Sequence, residues 1–473
     1  MTTFSSASQK AAIQELFREQ QKKRPLAASS ARERIGKLKR LKSALLNHGE
    51  ALEQALWADF RKPATEVKMT ELYPVLAEIR YVSRNLKRWM SPQQVPTPLP
   101  LLGSRSYIQY QPKGVVLIIA PWNFPVNLTL GPLVSALAAG NSVILKPSEH
   151  TPHTSAAMKR IIEEAFEPHE VALIEGGVET SQALLELPFN HIFFTGAPEI
   201  GKIVMAAAAK HLASVTLELG GKSPTIVDET ADIDTAAARI AWGKFINNGQ
   251  ICISPDYLFV HESRQDEFVA KLGQKLRDYY GEDARQSEDY ARIINPRHFQ
   301  RLKGYLDDAA ERGAEVLIGG QTAAEEDYIA PTVIAQVPLD AKLMTEEIFG
   351  PILPIYPYRD LQEPLALINA REKPLALYIY SKSRQNIAAI LNQTRAGGTC
   401  INHSVMHYSN HHLPFGGDNN SGIGKSHGWF GFEAFSNARA VYRQALPWSA
   451  GDLLTAPYTK WKQRLAGFMV KWL

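Results

Sequence analysis

The chain has 473 residues, of which 45% are hydrophobic, with 52 Lys and Arg against 48 Asp and Glu. That length calls for more than one domain with a sizeable core, and a net charge of +4 excludes a nucleic-acid binder built on a basic surface. Two cysteines, Cys252 and Cys400, exclude a disulfide framework and a cysteine metal site, and no metal is expected.

No apolar run approaches the roughly 20 residues of a membrane span. The first residues, Met1-Thr2-Thr3-Phe4-Ser5-Ser6, lack the apolar core of a signal peptide, so a reducing cytoplasm is the expected setting. Residues 29–90 read as helices, with Leu38, Leu41, Leu45 and Leu46 at helical spacing among Lys and Arg. Pro92, Pro96, Pro98 and Pro100 force the next stretch to be extended, and it leads into a hairpin.

From Gly114 the texture changes. Val115-Val116-Leu117-Ile118-Ile119-Ala120 is a continuous apolar run, as in a strand covered on both faces. Ser142-Val143-Ile144-Leu145, Val171-Ala172-Leu173-Ile174 and His191-Ile192-Phe193-Phe194 repeat the pattern, and helical stretches over 130–139, 155–166 and 200–212 alternate with them. Strand alternating with helix predicts an α/β fold with a parallel sheet. A second alternating region starts near Gly220 and runs to about Val405. It includes Thr225-Ile226-Val227, a helix over 233–247 and Tyr257-Leu258-Phe259-Val260.

Cys252 stands in Asn247-Asn248-Gly249-Gln250-Ile251-Cys252-Ile253-Ser254-Pro255. A thiolate is the strongest side-chain nucleophile, although a lone cysteine is more commonly a buried structural residue. Phe194-Thr195-Gly196-Ala197-Pro198-Glu199-Ile200-Gly201-Lys202 lies between a strand and a helix, where free N–H groups favour phosphate. Its spacing is nearly that of a triphosphate P-loop, but Ile203 stands where a Mg²⁺-ligating hydroxyl is required, which disfavours a nucleotide hydrolase. Lys146 and Glu149 follow a buried strand, where ligands bind in parallel sheets, and suit ribose hydroxyls. Glu218, between leucines in Thr216-Leu217-Glu218-Leu219-Gly220-Gly221, suits a general base whose pKa apolar surroundings raise. Asn123, in Pro121-Trp122-Asn123-Phe124-Pro125, suits an oxyanion donor. Each of these, taken singly, is as readily a loop, turn or solvent-facing strand residue.

Taken together and in this order, these pieces resemble the aldehyde dehydrogenase superfamily. Lys146-Pro147-Ser148-Glu149, Gly249-Gln250-Ile251-Cys252, Glu346-Glu347-Ile348-Phe349-Gly350-Pro351, Leu413-Pro414-Phe415-Gly416-Gly417 and Ser421-Gly422-Ile423-Gly424 complete the match, which covers about residues 30–445. Tyr280-Gly281 and Arg292-Ile293-Ile294-Asn295 resemble the class 3 branch of fatty and aromatic aldehyde dehydrogenases. Phe60-Arg61-Lys62-Pro63 and Pro457-Tyr458-Thr459-Lys460 are similar to bacterial aliphatic aldehyde dehydrogenases of alkane oxidation. Ile251, Ser254, Ala197 and Asn437 depart from the common Thr, Ala, Ser and His without removing a reacting group.

The resemblance implies a Rossmann-like cofactor domain over 1–90 and 111–219 and a catalytic domain over 220–405. It also implies a β-hairpin oligomerisation element from 91–110 and 435–450, and a C-terminal amphipathic tail over 451–473. It implies a homodimer and NAD as cofactor, with NADP also used in class 3. Cys252 would be the nucleophile, Glu218 the base and Asn123 the oxyanion donor. Trp122, Lys146, Glu149, Thr195, Gly196, Gly201, Glu347 and Phe349 would bind the cofactor. A medium- or long-chain aliphatic aldehyde is the first expectation for substrate; an aromatic aldehyde of coniferyl type and a CoA-acylating reaction are the alternatives. Trp461, Leu465, Phe468, Met469 and Trp472 predict an amphipathic tail helix, accompanied by Lys460, Lys462, Arg464 and Lys471. It suits a membrane surface, a cover over a substrate tunnel, or packing on the body or a dimer interface.

Overall fold

The computed structural model describes residues 6–23 and 28–472. Two α/β layers share the work. The first sheet has six strands in the order Gly422–Ile423, Ser214–Glu218, His191–Thr195, Val115–Ile119, Ser142–Lys146, Val171–Leu173. All but the first of these run parallel.

Alternation along Val115–Ile119 explains why every residue of that strand is buried. Val116 and Ile118 join a core with helices Ala31–Asn47, Tyr73–Met90, Pro125–Ala139 and Pro152–Ala165. Val115, Leu117 and Ile119 join another on the opposite face, with Ile13 and Phe17 of helix Ser6–Lys23 and Val204 of Pro198–Ala209. The chain leaves Val115–Ile119 in one direction across the sheet and returns on its other side at His191–Thr195. That reversal opens a crevice at the C-terminal strand ends, where ligands bind in such sheets.

The second sheet has seven strands: Glu315–Ile318, Thr332–Ala335, Ile352–Tyr358, Tyr257–His261, Pro224–Val227, Ala376–Tyr380 and Gly398–Ile401. Only Glu315–Ile318 is antiparallel. The proline-rich excursion does enter a hairpin. Gln93–Val95 and Ser104–Pro112 pair antiparallel, and Ser436–Gln444 adds a third strand, from Ser436 opposite Pro112 to Gln444 opposite Ser104.

Residues 406–434 lay outside the expected domains. The chain here returns to the first domain before it forms the last hairpin strand. Gly422–Ile423 pairs with Leu217 and Glu218, and Phe432 and Phe435 enter the first domain's core. The tail forms the helix Lys460–Trp472 that its spacing predicted, with no described residue buried. Leu465 and Met469 are half-buried, and Lys462 Nζ donates to Thr455 O. Among the described residues no helix is long and apolar enough to cross a membrane.

Candidate active site

Helix Ile233–Phe245 ends just before Cys252, and the chain turns by way of three left-handed residues: Asn247 (φ 53°), Asn248 (φ 56°) and Gly249 (φ 71°). Asn tolerates that region better than most residues with a Cβ. A Cβ on Gly249 would lie 2.3 Å from the Gly350 carbonyl oxygen, so this turn needs glycine. The neighbouring amides satisfy backbone groups. Gln250 Nε2 donates to the carbonyls of Asn247 (3.1 Å) and Arg292 (3.0 Å), while its Oε1 accepts from Ile294 N–H (3.0 Å). Asn248 Nδ2 donates to Ala291 O, and the Tyr378 hydroxyl donates to Ile253 O. The amide-rich loop is a rigid mount, and it leaves the Cys252 side chain only partly buried.

Asn123 lies at the other wall of the crevice, past the end of Val115–Ile119, and is 2% exposed. Its Nδ2 donates to Gln250 O (2.9 Å), and Asn247 Nδ2 donates to the Asn123 carbonyl (3.0 Å). The amide is thus bolted to the nucleophile's own loop. A second brace lies behind it. Lys62 and Glu71, both fully buried, pair at 2.7 Å, and Lys62 Nζ sits 3.9 Å from the centre of the Phe124 ring. Glu71 Oε2 accepts from the N–H groups of Val126 (3.1 Å) and Asn127 (2.9 Å), orphan donors of the first turn of Pro125–Ala139. Glu66 Oε2 accepts from Asn247 N–H.

Glu218 ends its strand directly opposite Thr195 in the parallel register, and Gly196 N–H donates to Glu218 O (3.1 Å). Its side chain is buried, with Oε1 accepting from the Ser426 hydroxyl at 2.8 Å. Thr195, Glu218 and Cys252 line one cavity with about 580 Å³ of empty space, counting the part open to solvent. Leu128, Phe193, Leu375, Phe415 and Phe435 make its walls apolar.

Such walls favour neutral groups. Burial, reinforced by Glu347 and then Glu218, pushes the Cys252 thiol up to about 12. Burial pushes Glu218 up to about 8, against the Ser426 hydroxyl and the Lys425 charge. Glu347 is also pushed up to about 8, by burial and then Asp256, while the Gly221 N–H, Lys222 and Arg301 oppose the rise. Burial thus favours the neutral form of the thiol and of both carboxyl groups.

Of the other expected residues, Trp122, Lys146, Glu149, Gly196, Gly201, Glu347 and Phe349 do not line this cavity. Thr195 and Gly196 lead into helix Pro198–Ala209. A Cβ on Gly201 would meet the Leu219 side chain at 2.8 Å, and one on Gly220 would meet Glu347 Oε2 at 2.1 Å. These glycines keep a cradle open between the start of helix Pro198–Ala209 and the Glu347 carboxyl group, and that space and acceptor fit a dinucleotide. Lys146, 2% exposed, donates to Pro147 O (2.8 Å) and Glu149 Oε2 (3.3 Å) at the end of its strand. Trp122 meets Phe349 edge-on at 5.3 Å between ring centres, and Phe349 itself has φ 47°. Ser426, Tyr408, Phe415 and His427 around the cavity were not singled out from sequence as site residues. Neither was the Lys62–Glu71 brace. The glycines at 416, 417 and 422 lie where a Cβ would meet backbone within 2.6 Å, a signal of close packing that could have pointed to this segment.

The description "Aldehyde dehydrogenase family" belongs to a family model that matches residues 1–441. The 4,4′-diaponeurosporen-aldehyde dehydrogenase of Staphylococcus aureus (strain NCTC 8325 / PS 47) is 44% identical over 403 residues, covering 85% of this chain and 87% of that protein. The dimeric NADP-preferring aldehyde dehydrogenase of Canis lupus familiaris is 43% identical over 407 residues, covering 86% of this chain and 89% of that protein. The substrate-bound state of Staphylococcus aureus AldH superimposes with a TM-score of 0.93 at 40% identity, covering 97% of this chain and 99% of that one.

Proposed function

The chain belongs to the aldehyde dehydrogenase family, and from that premise we propose that it oxidises a medium- or long-chain aliphatic aldehyde to the carboxylic acid through an acyl group held on Cys252. One observation carries the reading: a partly buried thiol and a buried carboxyl group face the same apolar cavity. The ring-rich wall also suits an aromatic aldehyde.

Lys146 and Glu149 would hold the adenine-side ribose, and Thr195, Gly196 and Gly201 the pyrophosphate and nicotinamide region. Glu347 would hold the nicotinamide ribose, with Trp122 and Phe349 packed beside it. The enzyme is NAD(P)-dependent, as its family is. Glu149 favours NAD by repelling a 2′-phosphate, and Lys146 at its side moderates that repulsion.

Cys252 Sγ gives up its proton to solvent at the open side of the cavity and attacks the carbonyl carbon, and the developing oxyanion is met by the Asn123 side-chain amide and the Cys252 N–H. The bound dinucleotide supplies the hydride acceptor. The thioester left on Cys252 is cleaved by water, whose proton Glu218 accepts. The three-stranded sheet is the proposed contact with a second copy, a homodimer being supported by a relative from Canis lupus familiaris that is named as dimeric. The cytoplasm is the proposed setting, with the exposed tail helix available to a membrane surface.

The test is NAD(P)H formation across aliphatic and aromatic aldehydes with each cofactor. Turnover highest on medium or long aliphatic chains, and absent in Cys252→Ala, is expected. Turnover that survives Cys252→Ala overturns the scheme. Acyl-CoA formed on adding CoA would replace water as the acceptor.

A further inference from the structure

We propose that Ser426 is a positioning residue for the hydrolytic half of the reaction, its hydroxyl holding one oxygen of Glu218 so that the other is left to take the proton of the attacking water. The inference rests on Glu218 being the base, as above.

Ser426 and Glu218 lie 208 residues apart, and both are buried where their side chains meet at 2.8 Å. One framework fixes both ends. Gly422 and Ile423 pair with Glu218 and Leu217, and four residues on, Ser426 exchanges backbone hydrogen bonds with Phe415 (2.7 and 3.3 Å). The second oxygen, Glu218 Oε2, is buried and has no hydrogen-bond partner among the described residues. A buried polar atom left without a partner in a cavity shared with a nucleophile is a place for a reactant to fill.

Ser426 Oγ has a second acceptor in reach, the Phe415 carbonyl at 3.4 Å. A hydroxyl can both donate and accept. While Glu218 is ionised, Ser426 donates to Oε1. When Glu218 carries the proton on Oε2, Oε1 is the carbonyl oxygen of the acid and still accepts from Ser426, with Phe415 O as the hydroxyl's alternative acceptor. The carboxyl group therefore keeps its place through a proton cycle without backbone movement.

The bonds balance. Water oxygen bonds to the thioester carbonyl carbon while its proton passes to Glu218 Oε2. The C–S bond breaks with its electron pair on Cys252 Sγ, and Glu218 returns the proton to sulfur. Ser426 keeps its own proton throughout.

Few other groups around Glu218 change charge in the working range. Lys425 stands beside it with its ammonium donated to the carbonyls of Gly416 and Gly417, so its charge acts at a distance. Across the cavity lie Glu78, Tyr408, His427 and Cys252. Burial pushes the Tyr408 hydroxyl far up and His427 down to about 4, so both are neutral between pH 5 and 9. The Ser426 hydroxyl is the direct donor that favours ionised Glu218.

The experiment follows decay of the acyl-enzyme after a burst of NAD(P)H, across pH 6 to 10, in the wild type, Ser426→Ala, Ser426→Thr and Glu218→Gln. In Ser426→Ala the burst should persist. The pH of half-maximal decay should rise by about one pH unit, so that decay slows up to about tenfold at pH 7 and recovers in alkali. Ser426→Thr, which keeps the hydroxyl, should follow the wild type. A Ser426→Ala profile that coincides with the wild type overturns the inference, as does a loss equal at every pH. Undiminished decay in Glu218→Gln would instead remove the base. Should Ser426→Ala fail to fold, Ser426→Cys, a much weaker donor, is read the same way: a rise in half-maximal pH supports the role and coincidence overturns it.

Discussion

Glu218→Gln is expected to separate stability from turnover. Burial raises this carboxyl group from 4.5 to about 8, so folding at pH 7 must keep protonated, or bury as an anion, a group that is ionised in the unfolded chain. At about 1.4 kcal/mol per pH unit, that costs about 3 kcal/mol at pH 7. Glutamine imitates the protonated acid. Its Oε1 still accepts from Ser426, and an N–H replaces the O–H at the unpartnered position. The stability gain of the variant should therefore be near zero at pH 4.5, grow as pH rises, and level off above pH 8. With an unfolding entropy of about 2.1 cal/mol/K for each of 473 residues, 3 kcal/mol corresponds to a rise of about 3 °C in the melting temperature at pH 7. Circular dichroism melts at pH 5, 6, 7 and 8 measure it. Steady-state turnover should fall by about 10²–10⁴ while the first burst of NAD(P)H survives. A melting temperature that shifts equally at pH 5 and 8, or falls, refutes the raised carboxyl group. Undiminished turnover refutes its role as base.

Glu71→Gln leaves the Lys62 ammonium buried without its counter-charge and should cost about 3–5 kcal/mol, seen as a lower melting temperature; a loss under 1 kcal/mol would show the brace to be dispensable. Gly220→Ala places a Cβ where Glu347 Oε2 now sits, so the carboxylate must swing away, and the dissociation constant for the dinucleotide should rise about tenfold by fluorescence titration. An unchanged constant would remove Glu347 from the cofactor site. The described residues of helix Lys460–Trp472 include none that is buried, so deleting residues 460–473 should leave the melting temperature within about 1 °C, and an unchanged chain-length preference would exclude a cover over the substrate tunnel.

Much of the architecture is local in origin and so was legible in the chain. A run such as Val115-Val116-Leu117-Ile118-Ile119 has nowhere to go but a strand covered on both faces, and the alternation with helices dictates parallel pairing. Helix starts were read up to five residues late, as at 130–139 for Pro125–Ala139, and ends up to three residues long, as at 200–212 for Pro198–Ala209. The stretch 233–247 stops as an α-helix at Phe245, because Asn247 and Asn248 adopt left-handed angles that hydrophobic period does not reveal. The sequence does not tell what the amides beside Cys252 do: Gln250 and Asn247 hydrogen-bond backbone carbonyls and the Ile294 N–H. Segment 406–434 had no assigned domain because the contacts that place it are remote: Gly422–Ile423 on Leu217 and Glu218, and Gly428 N–H on Glu78.

The sequence by itself determined the alternating elements, the thiol, the carboxylates and the glycines of the crevice, since periodicity, chirality and side-chain chemistry belong to single residues and their near neighbours. Which of them meet was decided only in three dimensions. Sheet order places Thr195 beside Glu218, and a two-residue antiparallel strand brings Ser426 to Glu218 across 208 residues. The raised carboxyl groups follow from that assembly, because the exclusion of water from a shared apolar cavity is a property of every wall at once.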